Sequence, residues 1–299
     1  MRNESGTDYA DSWNTIFKYE TTVLVNCTLN AVFMLTSVLE NSLVLAAILR
    51  TPSLRSSSII FLCSLATSDL LVGLIVQPVY IAYHLTESAT VHQVLSIVAG
   101  SGCGVSLLLM TAITVDRFLA LCYPMQYPNL MTAHRAFSLS VTLWIISFLL
   151  SLCSFWNMEA YHFAAAVSIA ICLFLSSACY VRIYRIVQKH QVQIHVQHIA
   201  VRKRHVGNIG QTVLRSAKGA KNTLIYYIGM ILCYTPLFAS MSILAMFPDR
   251  WTIAWTLADT AAFMNSSINP ILYCWRLSEI RTAVVKTARQ MLCKKRTSH

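Results

Sequence analysis

Seven long apolar runs occupy most of this 299-residue chain: Val23–Leu49, Ile59–Leu85, Val91–Tyr123, Phe137–Trp156, Tyr161–Val187, Asn222–Phe247 and Ile253–Trp275. Each reaches the ~20 residues that an α-helix needs to cross a bilayer. Within hydrocarbon every backbone polar group needs an internal partner, so runs of this kind specify helices. The expected fold is therefore an all-α membrane protein, a bundle of seven transmembrane helices. Composition supports this reading. Only 12% of residues are charged and 56% are hydrophobic, against ~25% charged in a soluble domain. A soluble globule is excluded, and no room remains for a large soluble domain.

The net charge of +11 would suggest nucleic acid only if it were spread over an accessible face. Counted between the runs, three Lys or Arg (Arg2, Lys18, Arg250) lie on one side of the membrane and twenty on the other. The positive-inside rule then puts the N-terminus outside and the C-terminus inside. The excess positive charge faces anionic lipid, and no nucleic-acid partner is implied. Residues 1–22 are polar and read as an extracellular tail. They contain the glycosylation acceptor Asn3-Glu4-Ser5 and lack signal-peptide features, so the first run is expected to serve as its own insertion signal. Most of the ten Cys fall inside apolar runs, as buried small hydrophobes rather than cross-links.

Residues 23–276 are the expected transmembrane domain and 277–299 the cytoplasmic end. Leu277, Ile280, Val284, Val285, Ala288 and Leu292 recur at helical spacing, with Arg281, Lys286 and Arg289 between them. This is the pattern of an amphipathic helix on the inner membrane face. Cys293 precedes Lys294-Lys295-Arg296, where palmitoylation or a free thiol are equal alternatives.

Ionisable groups at membrane depth are costly and mark functional sites. Here they are Glu40, Asp69 and Asp259, with Asp116-Arg117 near the inner end of the third run. Asp69, Ser106, Asn265 and Asn269 offer carboxylate, hydroxyl and amide oxygens suited to a small hard cation such as Na⁺. The alternative is a structural hydrogen-bond network between helices. Pro78, Pro236 and Pro270 interrupt runs and should kink them. A receptor, a transporter or a channel could use such a bundle.

Several motifs narrow the choice. Asn41, Leu65-Ala66-Thr67-Ser68-Asp69, Asp116-Arg117-Phe118, Pro124-Met125 with Tyr127, Trp144, Tyr180, Cys233-Tyr234-Thr235-Pro236 and Asn269-Pro270-Ile271-Leu272-Tyr273 occur in order, one set per helix. Together they resemble the signatures of the rhodopsin-like (class A) G-protein-coupled receptors, from the first run to the amphipathic helix. The resemblance implies a plasma-membrane receptor, not an enzyme, that takes an extracellular ligand and activates heterotrimeric G proteins, with arrestin, a receptor kinase and membrane lipid as further partners. It needs no cofactor, but implies an allosteric Na⁺ at Asp69, Ser106, Asn265 and Asn269. It assigns activation and coupling to Asp116, Arg117, Met125, Tyr180, Tyr234, Pro236, Asn269, Pro270 and Tyr273, and a ligand cavity to Gln77, Ala99, Gly100, Cys103, Leu237, Phe238, Met241, Asp259 and Phe263.

Departures from the family pattern are informative. His92 stands where most relatives have the helix-three Cys, and Asn157–Ala160 contains none, so the usual outer disulfide is absent. No Pro lies between Tyr161 and Tyr184, and Tyr234 replaces the usual Trp. The short outer loop and these absences resemble the melanocortin receptors and, more loosely, the adenosine and lipid receptors (cannabinoid and lysophospholipid). Their ligand sets do not transfer: Met241 replaces the adenosine-binding Asn, and Val79, His92 and Ser96 replace the melanocortin acids. Ala99 replaces the Asp of amine receptors, and Phe263 the retinal-binding Lys. Asp259 is the one acid in the cavity, expected either to meet a cationic ligand group or to pair with His84 or His92. His190, His195, His198 and His205 have loose metal-like spacing, but no Cys or carboxylate joins them.

A transporter should show an inverted repeat or paired broken helices, and an intramembrane protease a motif such as His-Glu-x-x-His. Neither is present. In many relatives an acid on helix six restrains the Arg of helix three. Here Ser216 takes its place and Arg182–Lys221 contains no acid, which predicts high basal activity.

Overall fold

In the computed structural model, backbone is described for residues 4–51, 57–200, 209–247, 253–276 and 278–294, and side chains for 20–51, 57–189, 227–247, 255–272, 274–275 and 278–291. The described residues form eight long helices: α1 (Glu4–Leu49), α2 (Ser57–Thr86), α3 (Ala89–Cys122), α4 (Ala133–Trp156), α5 (Met158–Ala200), α6 (Ile209–Met246), α7 (Ile253–Arg276) and α8 (Ser278–Lys294). A single helical turn, Tyr127–Leu130, lies between α3 and α4. Asn3, His205 and residues 295–299 lie outside the described residues, as do the side chains of Tyr273, Ser216, Cys293, His190, His195 and His198.

Six of these helices have windows apolar enough to cross a membrane. The seventh, α7, has 24 residues, or ~36 Å at 1.5 Å per residue, enough to span. Its hydropathy is lower because Asp259, Thr260, Asn265, Ser266, Ser267 and Asn269 lie along it. All but Asp259 are buried, so polarity on α7 faces the bundle rather than lipid. Conversely, Leu149, Phe163, Phe174 and Leu232 are exposed, as lipid-facing residues should be.

Two helices extend past the apolar runs. Within the polar stretch read as an extracellular tail, α1 begins at Glu4 and runs without interruption through the first span. The segment expected as a basic inner loop is largely helix, because α5 continues to Ala200 and α6 begins at Ile209. At 43 residues, α5 is ~65 Å long, about twice the hydrocarbon thickness. Its polar extension therefore stands clear of the membrane.

Local chemistry explains the junctions. Asn157 is the whole connection between α4 and α5, and its side-chain Oδ1 accepts the Ala160 N–H at 2.9 Å, capping α5. One linking residue cannot reach α3, which accounts structurally for the missing outer disulfide. Thr132 caps α4 by accepting from the Arg135 N–H. Glu87 ends α2 in the left-handed conformation (φ 48°), its N–H bonded to the Tyr83 carbonyl.

The prolines act differently. Pro78 cannot donate to a helical carbonyl, and the helix widens to a π-turn over Val72–Val76 just before it. The Gln77 N–H reaches back to the Val72 carbonyl, and the rotated outer segment turns Tyr80, Tyr83 and His84 inward. Pro270 deprives the Ser266 carbonyl of its helical donor. Asn41 of α1 supplies one instead, its Nδ2 donating to Ser266 O at 3.0 Å and to Ser37 O at 2.9 Å. A kink in α7 thereby fastens α7 to α1.

Small residues set the closest approaches. On α3, Gly100 and Gly104 face Ser151 and Ser147 of α4, and the Ser147 hydroxyl donates to the Ser101 carbonyl at 3.0 Å. This is small-residue packing typical of membrane helices. Trp144 ties α4 to α2 through its indole N–H, which donates to Ser64 Oγ at 2.9 Å. Helix α8 folds back under α1, burying Ile280, Ala283 and Thr287, with Ala283 against Ala47 and Ile59 and Ile280 joined to the main core. Ile280, Val284 and Ala288 of the expected apolar stripe are buried or partly buried, while Val285 is exposed.

Candidate functional site

The polar residues form three layers through the bundle. At the inner end of α3, Asp116 is wholly buried and accepts three donors. These are Tyr127 Oη at 2.7 Å, Ser58 Oγ at 2.8 Å and Arg117 Nη2 at 3.2 Å. This is the one ion pair among the described residues. Arg117 is about one-third exposed, so its guanidinium is held back along α3 while remaining accessible at the inner mouth. Met125, in the following loop, is 89% exposed.

Tyr180 does not approach Arg117. It stacks on Tyr227 of α6, ring centroids 5.3 Å apart and planes 10° from parallel, while Tyr227 Oη and Ser177 Oγ share a 2.6 Å hydrogen bond. Tyr227 and Ser177 were not singled out from the sequence, since aromatic and hydroxyl residues are common in such helices.

The middle layer centres on Asp69, also fully buried. Its Oδ1 accepts from Ser106 Oγ at 3.0 Å and its Oδ2 from Asn269 Nδ2 at 2.8 Å. Ser68 shares a 2.8 Å bond with Ser106 and donates to the Gly102 carbonyl, a partner that its place beside Asp69 could have signalled. Asn265, the fourth residue of the expected quartet, directs its Nδ2 to the Met110 sulfur at 3.3 Å. Asn269 Oδ1 is buried and has no hydrogen-bond partner.

One turn outward, Tyr234 is 1% exposed and its hydroxyl donates to the Cys103 carbonyl of α3 at 3.0 Å. A Trp at this position could not reach this carbonyl in the same way, because its donor is fixed on the ring edge. Pro236 lies inside the same helix two residues on, where it removes one backbone donor from the α6 ladder.

The outer layer is a two-lobed cavity. An inner lobe of about 790 Å³, mouth included, lies between α3, α4, α5, α6 and α7. An outer lobe of about 880 Å³ opens above it, lined by Tyr80, Tyr83, His84, His92, His162 and Trp255. Ala99, Tyr161, Met241, Asp259 and Phe263 line both, and so form the neck between them. Of the residues expected at the cavity, Ala99, Gly100, Cys103, Leu237, Met241, Asp259 and Phe263 line it.

Gln77 and Phe238 line neither lobe. Gln77 is fully buried and donates to Asn30 Oδ1 at 3.5 Å, within a cluster where Asn30 also donates to Thr260 Oγ1 at 2.9 Å. The π-turn explains its displacement, since it changes which face of α2 meets the cavity. Phe238 instead packs against the hydrophobic core. Asp259 forms no ion pair with His84 or His92; it accepts from the Trp255 side chain one turn earlier on α7.

The sequence matches the family described as 7 transmembrane receptor (rhodopsin family) over residues 40–163 and 153–273. The two matched stretches meet around the α4–α5 junction, where the connection has shrunk to Asn157. The match covers all seven spans from the inner half of α1 to the Asn269–Tyr273 motif. The chain belongs to the rhodopsin family of seven-transmembrane receptors.

Proposed function

We propose that the chain is a plasma-membrane receptor, N-terminus outside, that binds an extracellular ligand in the two-lobed cavity and promotes nucleotide exchange on a heterotrimeric G protein, itself catalysing no covalent step. The observation that carries this reading is Arg117. It is held by one ion pair within its own helix and is about one-third exposed, at the opposite end of the bundle from the cavity. Membrane lipid, arrestin and a receptor kinase complete the expected partners. The melanocortin-like features are the short outer connection and the missing disulfide and proline, and they carry no ligand assignment.

The polar middle layer supports an allosteric Na⁺ held by Asp69, Ser106 and the unpartnered Oδ1 of Asn269. Asn265 would join them through its Oδ1, its Nδ2 being engaged with the Met110 sulfur. The ion would supply positive charge to a carboxylate buried without a cation, while the residues themselves position it and exclude lipid.

High basal activity follows from the restraint on Arg117. Its described ion pair is internal to α3, and among the described side chains of α6, from Tyr227 on, the hydrogen bonds and ring contacts to neighbouring helices are neutral: Tyr234 to Cys103, and Tyr227 to Ser177 and Tyr180. Second-messenger output, cAMP in both directions and inositol phosphate, tests this in cells expressing the chain or Arg117→Ala at equal surface levels. A ligand-independent signal abolished by the substitution is expected. Equal output from both in every channel would refute basal coupling through Arg117.

A further inference from the structure

We infer that the cavity selects a small organic monocation, an alkylated amine with an apolar body, whose ammonium group sits at the neck against Asp259. The inference deepens the receptor reading, and its binding test does not depend on signalling.

Among the described residues Asp259 is the only acid that lines either lobe. It stands on the wall common to both, so a group bound there touches the apolar inner lobe and the aromatic outer lobe together. No described Lys, Arg or His lies within ion-pair distance of it, and the Trp255 indole can satisfy only one of its oxygen lone pairs. A carboxylate lining a pocket with no described ion-pair partner offers a site for a cation, whose binding would hold it ionised.

The surroundings define what the cation carries. Phe263 and Met241 share the neck, and Phe263 meets Tyr80 edge to face with ring centroids 5.2 Å apart. Trp255 meets His162 at 5.6 Å across the outer lobe. Aromatic faces beside a carboxylate favour alkylated ammonium groups, whose positive charge is spread over C–H surface. A tertiary ammonium has one N–H, which Asp259 can accept.

Below the neck, Leu107, Leu108, Leu150, Ile169, Cys172 and Leu237 make an apolar chamber that a hydrocarbon or aromatic body would fill. One hydroxyl marks its upper end. Tyr161 Oη reaches so close to Gly100 that a Cβ there would collide with it, which places that hydroxyl at the α3 wall of the neck. A diacidic or anionic ligand finds no Lys or Arg among the described lining residues of either lobe. A strongly polar body would leave its hydrogen bonds unmade in the inner lobe.

The test uses the full chain in lipid nanodiscs and three probes: N,N-dimethyl-2-phenylethylamine, its trimethylammonium analogue, and the neutral isostere in which carbon replaces nitrogen (3,3-dimethylbutylbenzene). Ligand-induced change in melting temperature is measured for each up to about 1 mM. Both cations should stabilise the protein, with the isostere at least about tenfold weaker, as expected for loss of one charge-assisted contact. Asp259→Asn should erase that difference. Ala99→Leu, which adds bulk at the neck and keeps the acid, should weaken all three probes. No cation-dependent shift, an isostere as tight as the amines, or unchanged selectivity in Asp259→Asn would each overturn the inference. If Asp259→Asn fails to fold, the cation-to-isostere comparison on the natural chain decides. Amine binding without Arg117-dependent signalling would sink the receptor reading alone.

Discussion

Replacing Tyr234 by Phe removes one atom and one interaction. The lost hydroxyl donates across from α6 to the Cys103 carbonyl of α3 at 3.0 Å, between two fully buried residues. The carbonyl keeps the helical N–H of Leu107, four residues on, so the substitution orphans no acceptor and leaves almost no void. Its effect is therefore the net worth of one neutral buried hydrogen bond, ~0.5–1.5 kcal/mol. That is a factor of about 2 to 12 in a two-state equilibrium. The bond fastens α6 to α3 while Arg117 is paired with Asp116, so its loss favours movement of α6. If about 5% of molecules are active at rest, the variant should have about 10% to about 40% active. The assay is binding of a non-hydrolysable GTP analogue in membranes with matched receptor density and no ligand. Equal or lower basal exchange in Tyr234→Phe would refute the assignment of this bond to the resting state.

Other predictions concern the middle layer and the helix packing. Asp69→Asn should abolish any Na⁺ dependence of thermal stability while K⁺ and the variant's own fold remain unaffected; a Na⁺ shift that persists would remove the ion from this site. Gly73→Ala should destabilise the purified chain by about 1–3 kcal/mol, because its Cβ would lie 2.9 Å from Val38 Cγ2 and 3.3 Å from the Met34 carbonyl of α1. Gly229→Ala meets nothing nearer than Leu272 Cδ1 at 3.9 Å and should raise stability by up to ~1 kcal/mol through helix propensity. Thermal inactivation in one detergent compares the two, and the same sign for both would show that close approach is not what Gly73 serves.

Run length and polarity were enough to read the seven spans, since a bilayer admits few alternatives to a helix of this length. They were poor guides to where helices end outside the membrane. Beyond the hydrocarbon no solvent boundary stops a helix, so α1 starts at Glu4 and α5 runs to Ala200. Nor does apolar spacing on α8 tell which stripe meets protein and which meets lipid: Thr287 is buried against the bundle while Val285 is exposed. The π-turn of α2 was foreshadowed by Pro78, but a proline predicts a kink without its angle. That angle decided that Tyr80 rather than Gln77 faces the cavity.

The site residues divide along the same line. Asp69, Ser106 and Asn269 meet because each is a short polar side chain on an inward face, where the cost of exposure to lipid leaves one direction to point. Asn265 has the same chemistry but finds a soft acceptor, the Met110 sulfur, within reach on α3. A preference between a thioether and a carboxylate depends on about an ångström of helix rotation, which residue types do not encode. Asp259 shows the converse. Two histidines stood near enough in sequence logic to neutralise it, and the fold gives it a tryptophan N–H instead. The imidazoles are spent on aromatic neighbours, His84 on Tyr80 at 4.6 Å and His92 on Tyr83 at 5.1 Å. An acid with no described cation beside it in a buried cavity is costly to keep ionised. A cationic partner from outside the chain would offset that cost, which is why the charge on the ligand, and not its shape, is the property to vary first.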